Sequence, residues 1–160
     1  EQFEEQAVET SDDDEEGETW EDARNATLPE IRNLQDKLIK IIEENFRCYS
    51  EPHQSQPELN FYTKHPLESR NKFMVMDCKR TRFNVSYRIN PDTYIEKDDL
   101  KDKDGKPKIR KASWYFRNKR SIGLADRSIT VFDEDIPLVL EELEHAYKIT
   151  MEELNYSKKS

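Results

Sequence analysis

The chain has 160 residues and a formal net charge of −9, with 38% charged and 34% hydrophobic side chains. The negative charge is concentrated at one end: residues 1–30 carry thirteen acidic side chains and one basic one, so residues 31–160 have a net charge of +3. No apolar run approaches the roughly 20 residues that span a bilayer, and we expect a cytoplasmic protein with no membrane partner. The two cysteines, Cys48 and Cys78, are too few for a disulfide scaffold.

The first 26 residues have few apolar side chains and include an acidic block at 12–16. Like-charge repulsion and the lack of surface to bury favour disorder. We therefore predict an acidic disordered tail or linker over residues 1–26, a single domain over 27–156 and a frayed C-terminus over 157–160. The tail is either a solvated spacer or a segment that competes with nucleic acid for a basic surface. A first residue other than Met, inside an acidic stretch, indicates either a piece of a longer chain, cut at a linker, or a processed N-terminus.

A helix, a polar loop and a hairpin are predicted in the first half of the domain. The capping-box pattern from Thr27 to Glu30 begins a helix that ends near Arg47. A polar loop (49–58) and a short strand (59–64) follow. The apolar run 73–78 and the alternating segment 83–89 have the pattern of two antiparallel strands joined by a tight turn.

The second half begins with a charged, turn-rich loop at residues 90–107 and closes with the clearest helical pattern of the sequence. Residues 113–116 and 127–132 are predicted strands, and Asp133 or Asp135 caps the helix. Its outer face is predicted to carry Glu141, Glu142, Glu144 and an exposed His145. The fold class is therefore α+β, a two-layer domain in which an N-terminal and a C-terminal helix pack on an antiparallel sheet of three to four strands.

The turn at Gly123, the strand 128–132 and the helix 135–147 resemble a bacterial domain of unknown function that is often labelled a predicted transport protein. The resemblance covers roughly residues 27–150. It implies a C-terminal position in larger chains that resemble restriction or anti-phage enzymes, and it brings no catalytic residues. The charged insert at residues 93–112 and Pro137 depart from the family pattern. Nothing in the residues supports transport.

Nucleic-acid binding is the first functional hypothesis, because residues 101–120 hold nine basic and two acidic side chains around an aromatic triplet. Cations contact phosphates, and aromatic rings stack on unpaired bases. A solvated basic loop beside core aromatics is an equally good interpretation of the pattern. The candidate DNA- or RNA-contacting residues are Lys79, Arg80, Arg82, Lys108, Arg110, Lys111, Trp114, Tyr115, Arg117, Lys119 and Arg120.

Two alternatives remain. Asp77-Cys78-Lys79 after an apolar strand matches the acid-x-Lys element of magnesium-dependent restriction-type nucleases, with Glu43, Glu58 and Glu68 as candidate further acids. The acidic face of the last helix favours instead a protein-interaction or oligomerisation module. No nucleophilic triad, phosphate-binding glycine loop or metal-ligand spacing occurs in the sequence, so we expect no cofactor, no metal site and a non-enzymatic domain.

Overall fold

A computed structural model describes residues 19–90, 92–111 and 125–159 of the chain. The helices are α1 (Trp20–Ala26), α2 (Pro29–Asn45) and α3 (Ile136–Lys159). The strands are β1 (Tyr49–Pro52), β2 (Glu58–Tyr62), β3 (Lys72–Asp77), β4 (Asn84–Ile89), β5 (Ile109–Lys111) and β6 (Ala125–Thr130). No helix among these residues is long and apolar enough to cross a membrane.

The six strands form one antiparallel sheet in the order β1-β2-β3-β4-β6-β5. The predicted α+β class with an antiparallel sheet is confirmed, but the expected three to four strands are too few. β1 was predicted as loop, because all four of its residues are exposed and show no alternation. β5 was also missed, because it has only three residues inside a charged segment. The predicted strand at residues 113–116 lies outside the described residues.

The two faces of the sheet differ in chemistry, because successive side chains of a strand point to opposite sides. α3 packs against β3 and β4 on one face, where the Tyr87 hydroxyl meets this helix. The apolar side chains of that face form the core together with the helices: Leu59, Phe61, Met74, Met76, Val85 and Ile129. The opposite face is mainly polar and carries Asn60, Val75, Ser86 and Ser128.

The fold begins earlier than expected. α1 lies inside the segment predicted as a tail, and Trp20 is buried in the core. A capping box between Thr19 and Asp22 begins this helix. Residues 1–18 of the predicted tail lie outside the described residues. At the other end α3 continues to Lys159, past the predicted domain end at residue 156.

The predicted cap at Thr27 is wrong. α2 has Leu28 at its N-cap and no side-chain hydrogen bond there, while Pro29 occupies the first turn as expected. The Thr27 hydroxyl lies instead 2.7 Å from the carbonyl oxygen of Ala23 and 3.0 Å from that of Lys79. Its hydrogen-bonding capacity therefore joins α1 to the β3–β4 turn.

Glu142 was predicted on the outer face of the last helix, and this too is wrong. Its side chain is 2% exposed. Its carboxylate accepts hydrogen bonds from the hydroxyls of Tyr87 (2.8 Å) and Tyr94 (2.6 Å) and from Lys97 Nζ (2.7 Å). Glu141 and Glu144 are exposed as predicted. Glu142 therefore cannot belong to the acidic helix face that was proposed as a protein-interaction surface.

His145 is only partly exposed, with its ring against Tyr94 at a centroid distance of 5.7 Å. Burial lowers the pKa of this imidazole. Asp135 accepts a hydrogen bond from the Phe132 backbone N–H at 2.8 Å, so it stabilises the turn that leads into α3. A side-chain cap on α3 itself, from Asp133 or Asp135, stays a prediction.

Candidate nucleic-acid interface

The β3–β4 turn presents three of the predicted cations at one end of the sheet. Lys79 and Arg82 close this turn with a backbone hydrogen bond of 3.0 Å. Arg80 and Arg82 are exposed, and Lys79 is half-buried. Since the turn lies outside the ladder, its side chains extend beyond the end of the sheet.

The backbone of this turn is attached to the junction between α1 and α2. The Thr27 hydroxyl lies 3.0 Å from the Lys79 carbonyl oxygen, and the Leu28 N–H donates to the Arg80 carbonyl oxygen at 3.0 Å. These contacts fix the turn from a second layer of the domain. A cationic turn that is already ordered loses less conformational entropy when a ligand binds to it.

Arg110 lies at the same end of the sheet. The registers pair Asn84 with Thr130 and Ile109 with Ile129, so the beginnings of β4 and β5 flank the end of β6. Arg110 Nη2 is 3.3 Å from Asn84 Oδ1 and 3.1 Å from Thr130 Oγ1. Both partners are neutral, so they orient the guanidinium without cancelling its charge.

A line of hydrogen bonds extends from Arg110 across four strands to Asp77. Thr130 donates to Asn84 Oδ1. The Asn84 side-chain amide and backbone N–H donate in turn to the two carboxylate oxygens of Asp77, at 2.9 and 2.7 Å. Sequence reasoning did not identify Asn84 and Thr130 as part of this surface. The signal was available in the alternation of β4 and β6, which puts both on the face opposite the core.

Lys108 plays a different part from the one predicted. Its Nζ lies 2.8 Å from Asp135 Oδ2, and the two side chains are only 11% and 9% exposed. An ion pair this well covered leaves little of the lysine charge for a ligand. We therefore assign Lys108 to the attachment of the charged loop to the beginning of α3.

Lys111 also separates from the others. It is exposed, but it follows Arg110 in β5 and so points to the other face of the sheet, the one that carries Ile109 and the core. There the pKa of Glu96 is lowered, mainly by a hydrogen bond from Arg127 and to a smaller extent by the charge of Lys111. Lys111 is thus close to a carboxylate that Arg110 does not face.

Five predicted residues lie outside the described residues: Trp114, Tyr115, Arg117, Lys119 and Arg120. Sequence reasoning missed an aromatic residue that is described at this end of the sheet. Phe132 follows β6 and is 38% exposed. It lines a cavity of about 270 Å³ whose charged lining consists of three basic and two acidic residues: Lys103, Lys108, Arg110, Asp102 and Asp104. Its position after an alternating strand was visible in the sequence, but its exposure was not.

The acids proposed for a nuclease site are only partly brought together. Glu58 and Asp77 are paired residues on neighbouring strands, so their side chains share a face. Glu43 lies exposed on α2, and Glu68 precedes the turn at the far end of β3. Within the described part of the chain no three histidine, cysteine or acidic side chains are grouped as metal ligands.

No family model matches the chain, and neither does any curated protein or solved structure compared with it. The resemblance described from the sequence therefore stays an expectation.

Proposed function

We propose that this chain is a non-enzymatic accessory domain of a larger bacterial protein and that it contacts DNA or RNA through one end of its sheet. The surface consists of Lys79, Arg80, Arg82 and Arg110, named here the basic end. The observation that carries the proposal is that none of these four side chains forms an ion pair with another residue that the structure describes. A restriction or anti-phage context and other domains of the parent chain as partners belong to the same proposal, through the family resemblance.

Phosphate binding follows from the chemistry of these groups. Each cation that reaches a phosphate releases a counterion, so affinity falls as salt rises. Arg110 can donate two parallel hydrogen bonds to phosphate oxygens, and its guanidinium is already oriented. The attached turn supplies two exposed arginines beside it.

Arg110→Ala tests the basic end, with Lys111→Ala as a control that removes an equal charge from the neighbouring residue on the opposite face. Binding of a labelled oligonucleotide is measured by fluorescence anisotropy over a range of salt concentrations. We expect Arg110→Ala to weaken binding and to reduce the slope of log affinity against log salt by about 0.7–0.9, the contribution of one phosphate contact. Lys111→Ala should leave the slope close to that of the parent chain.

Two outcomes would contradict the proposal. One is the absence of oligonucleotide binding by the parent chain even at low salt. The other is an equal loss in the two variants, which would mean that only the total charge matters and that no particular surface is used.

The second candidate function is a magnesium-dependent nuclease, which the pairing of Glu58 with Asp77 favours. Two acidic side chains on adjacent strands are a usual beginning of a magnesium site. The hydrogen bonds that Asp77 accepts from Asn84 give it instead a structural role. If the nuclease hypothesis is right, the protein cuts DNA when Mg²⁺ is added and Asp77→Ala abolishes the cleavage.

A further inference from the structure

An aromatic ring lies exposed beside the basic end. Phe132 connects β6 to the turn before α3, and it forms one wall of the 270 Å³ cavity that Arg110 also lines. The remaining exposure of the ring leaves apolar surface in water, which is unfavourable by about 25 cal/mol for each Å². A ligand group that covers the ring would recover this free energy.

We propose that Phe132 stacks on an unpaired base, and that the ligand of the basic end is therefore single-stranded nucleic acid. The inference rests on the proposed function and specifies its ligand. Aromatic side chains beside cations are the usual means of holding single strands, because every base has a flat face for the ring and every nucleotide a phosphate for the cation.

Arg110 supplies the phosphate contact in this arrangement. Its guanidinium is held by Thr130 and Asn84 and lines the same cavity as the ring. A nucleotide whose base covers Phe132 therefore has its phosphate in the same small space as an oriented guanidinium that forms no ion pair with any residue that the structure describes. The phosphate must lie on the Arg110 side of this space, because Asp102 and Asp104 also line it. Lys108 stays with Asp135, and its Nζ lies 4.7 Å from the centre of the Phe132 ring. A base therefore covers only the part of the ring that Lys108 leaves open.

Lys103 occupies part of the space that a base would take. Its Nζ lies 5.2 Å from the centre of the Phe132 ring, and the residue is exposed. An exposed cation–π contact is worth about 0.5–1 kcal/mol, whereas stacking of a base on an aromatic side chain is worth about 1–3 kcal/mol. The exchange is favourable, and the displaced ammonium group is free to contact a neighbouring phosphate.

Duplex DNA does not offer the face that this site needs. Its bases are stacked on one another inside the helix, whereas unpaired bases can be splayed out and stacked on a protein ring. A duplex meets the cations of the basic end without covering Phe132. The binding free energy should therefore have two parts. Phosphate contacts contribute for every nucleic acid, whereas stacking on Phe132 contributes only for single strands.

Three probes of equal length separate these contributions: an oligothymidylate, an abasic oligonucleotide with the same phosphates, and a duplex. For the parent chain we expect the oligothymidylate to bind about 5- to 150-fold more tightly than the abasic strand, the equivalent of one stacked base. Phe132→Ala should bring the affinity for oligothymidylate down to that for the abasic strand and leave the latter unchanged.

Two further variants make the test specific. Phe132→Trp should retain the preference, and its indole fluorescence should be quenched by oligothymidylate but not by the abasic strand. Ile95→Ala removes another exposed apolar side chain, 77% exposed, and should change no affinity.

The results distinguish this inference from the function on which it rests. Equal, salt-dependent binding of the oligothymidylate and the abasic strand by the parent chain overturns the stacking inference and leaves the proposed function in place. Tighter binding of the duplex than of the oligothymidylate also overturns the inference. If none of the probes binds at low salt, both are overturned.

Discussion

Glu142 shows how a single residue can depart from what its neighbours in the sequence indicate. It stands in an acidic run that has the pattern of a solvated helix face, yet its carboxylate is buried between α3 and the sheet. Taking a carboxylate out of water is costly unless hydrogen bonds replace the lost hydration. Tyr87, Tyr94 and Lys97 supply three such bonds. Burial, with the nearby carboxylate, raises the pKa of both tyrosines.

Glu142→Ala is expected to destabilise the domain by about 3 kcal/mol, because it leaves a half-buried ammonium group and two hydroxyls without their acceptor. The free energy of unfolding is measured by urea denaturation. Glu141→Ala removes the exposed neighbouring charge and should change the unfolding free energy by no more than about 0.5 kcal/mol. Similar small changes in both variants would show that the carboxylate does not hold the loop and the sheet together.

At the scale of elements, the β3–β4 turn is attached to the α1–α2 junction, and the Thr27 side chain is one of the contacts between them. Thr27→Val keeps the shape of the side chain and removes its hydroxyl. We expect a loss of about 1–2 kcal/mol of unfolding free energy, because the carbonyl oxygens of Ala23 and Lys79 lose the one hydroxyl proton that lies within hydrogen-bonding distance of both. Urea denaturation measures it.

Thr81→Val is the matched control for this change, since Thr81 is an exposed threonine of the turn itself. Its unfolding free energy should stay within about 0.5 kcal/mol of the parent chain. A Thr27→Val variant as stable as the control would mean that the turn is held by backbone hydrogen bonds alone.

The elements that could be predicted are those with a strong local sequence pattern. β3 is a compact apolar run, β4 alternates apolar with polar residues, and α3 has apolar residues at helical spacing; their predicted bounds are close to the observed ones. α1 was missed because the acidic composition around it outweighs the local signal at Thr19 and Asp22. β5 was missed because its pairing with β6 depends on residues distant in the sequence, which no local pattern reveals.

All four residues of the basic end are among the candidates that the sequence predicts, but only the exposed position of the turn could be predicted. Lys79, Arg80 and Arg82 lie at the end of a hairpin, where solvent contact follows from topology. The pairing of Lys108 with Asp135 joins two segments that are 27 positions apart in the sequence, so neither sequence neighbourhood indicates it. The exposure of Phe132 likewise depends on how the charged loop packs beside the end of β6.

At the scale of the whole molecule, the charge is divided between a strongly acidic N-terminal segment and a mildly basic remainder. Residues 1–18 carry ten acidic side chains and no basic one. This segment is followed by Thr19, just before α1. The last turn of α1 leads to the α1–α2 junction, which is hydrogen-bonded to the β3–β4 turn of the basic end. Eighteen residues span up to about 60 Å when extended, so they can reach the basic end.

Replacing the ten acidic residues by their amides changes the formal net charge from −9 to +1. We expect affinity for an oligonucleotide to rise roughly tenfold or more at low salt, because the charge that competes with phosphate is removed. The gain should vanish at high salt, where such interactions are screened. Unchanged affinity at low salt would show that the acidic segment acts only as a spacer.

The sheet order has a consequence for how the chain could be divided. β4 and β6 are neighbours in the sheet although β5 lies between them in the sequence. The segment that contains β5 is therefore an insertion between two paired strands. A break in the exposed loop around residues 101–105 would leave one fragment with β1–β4, Tyr94 and Lys97, and a second with β6 and α3. The β4–β6 ladder and the bonds to Glu142 run between these two fragments. The loop is therefore a natural position for split-protein complementation, in which two separately made halves associate into one domain.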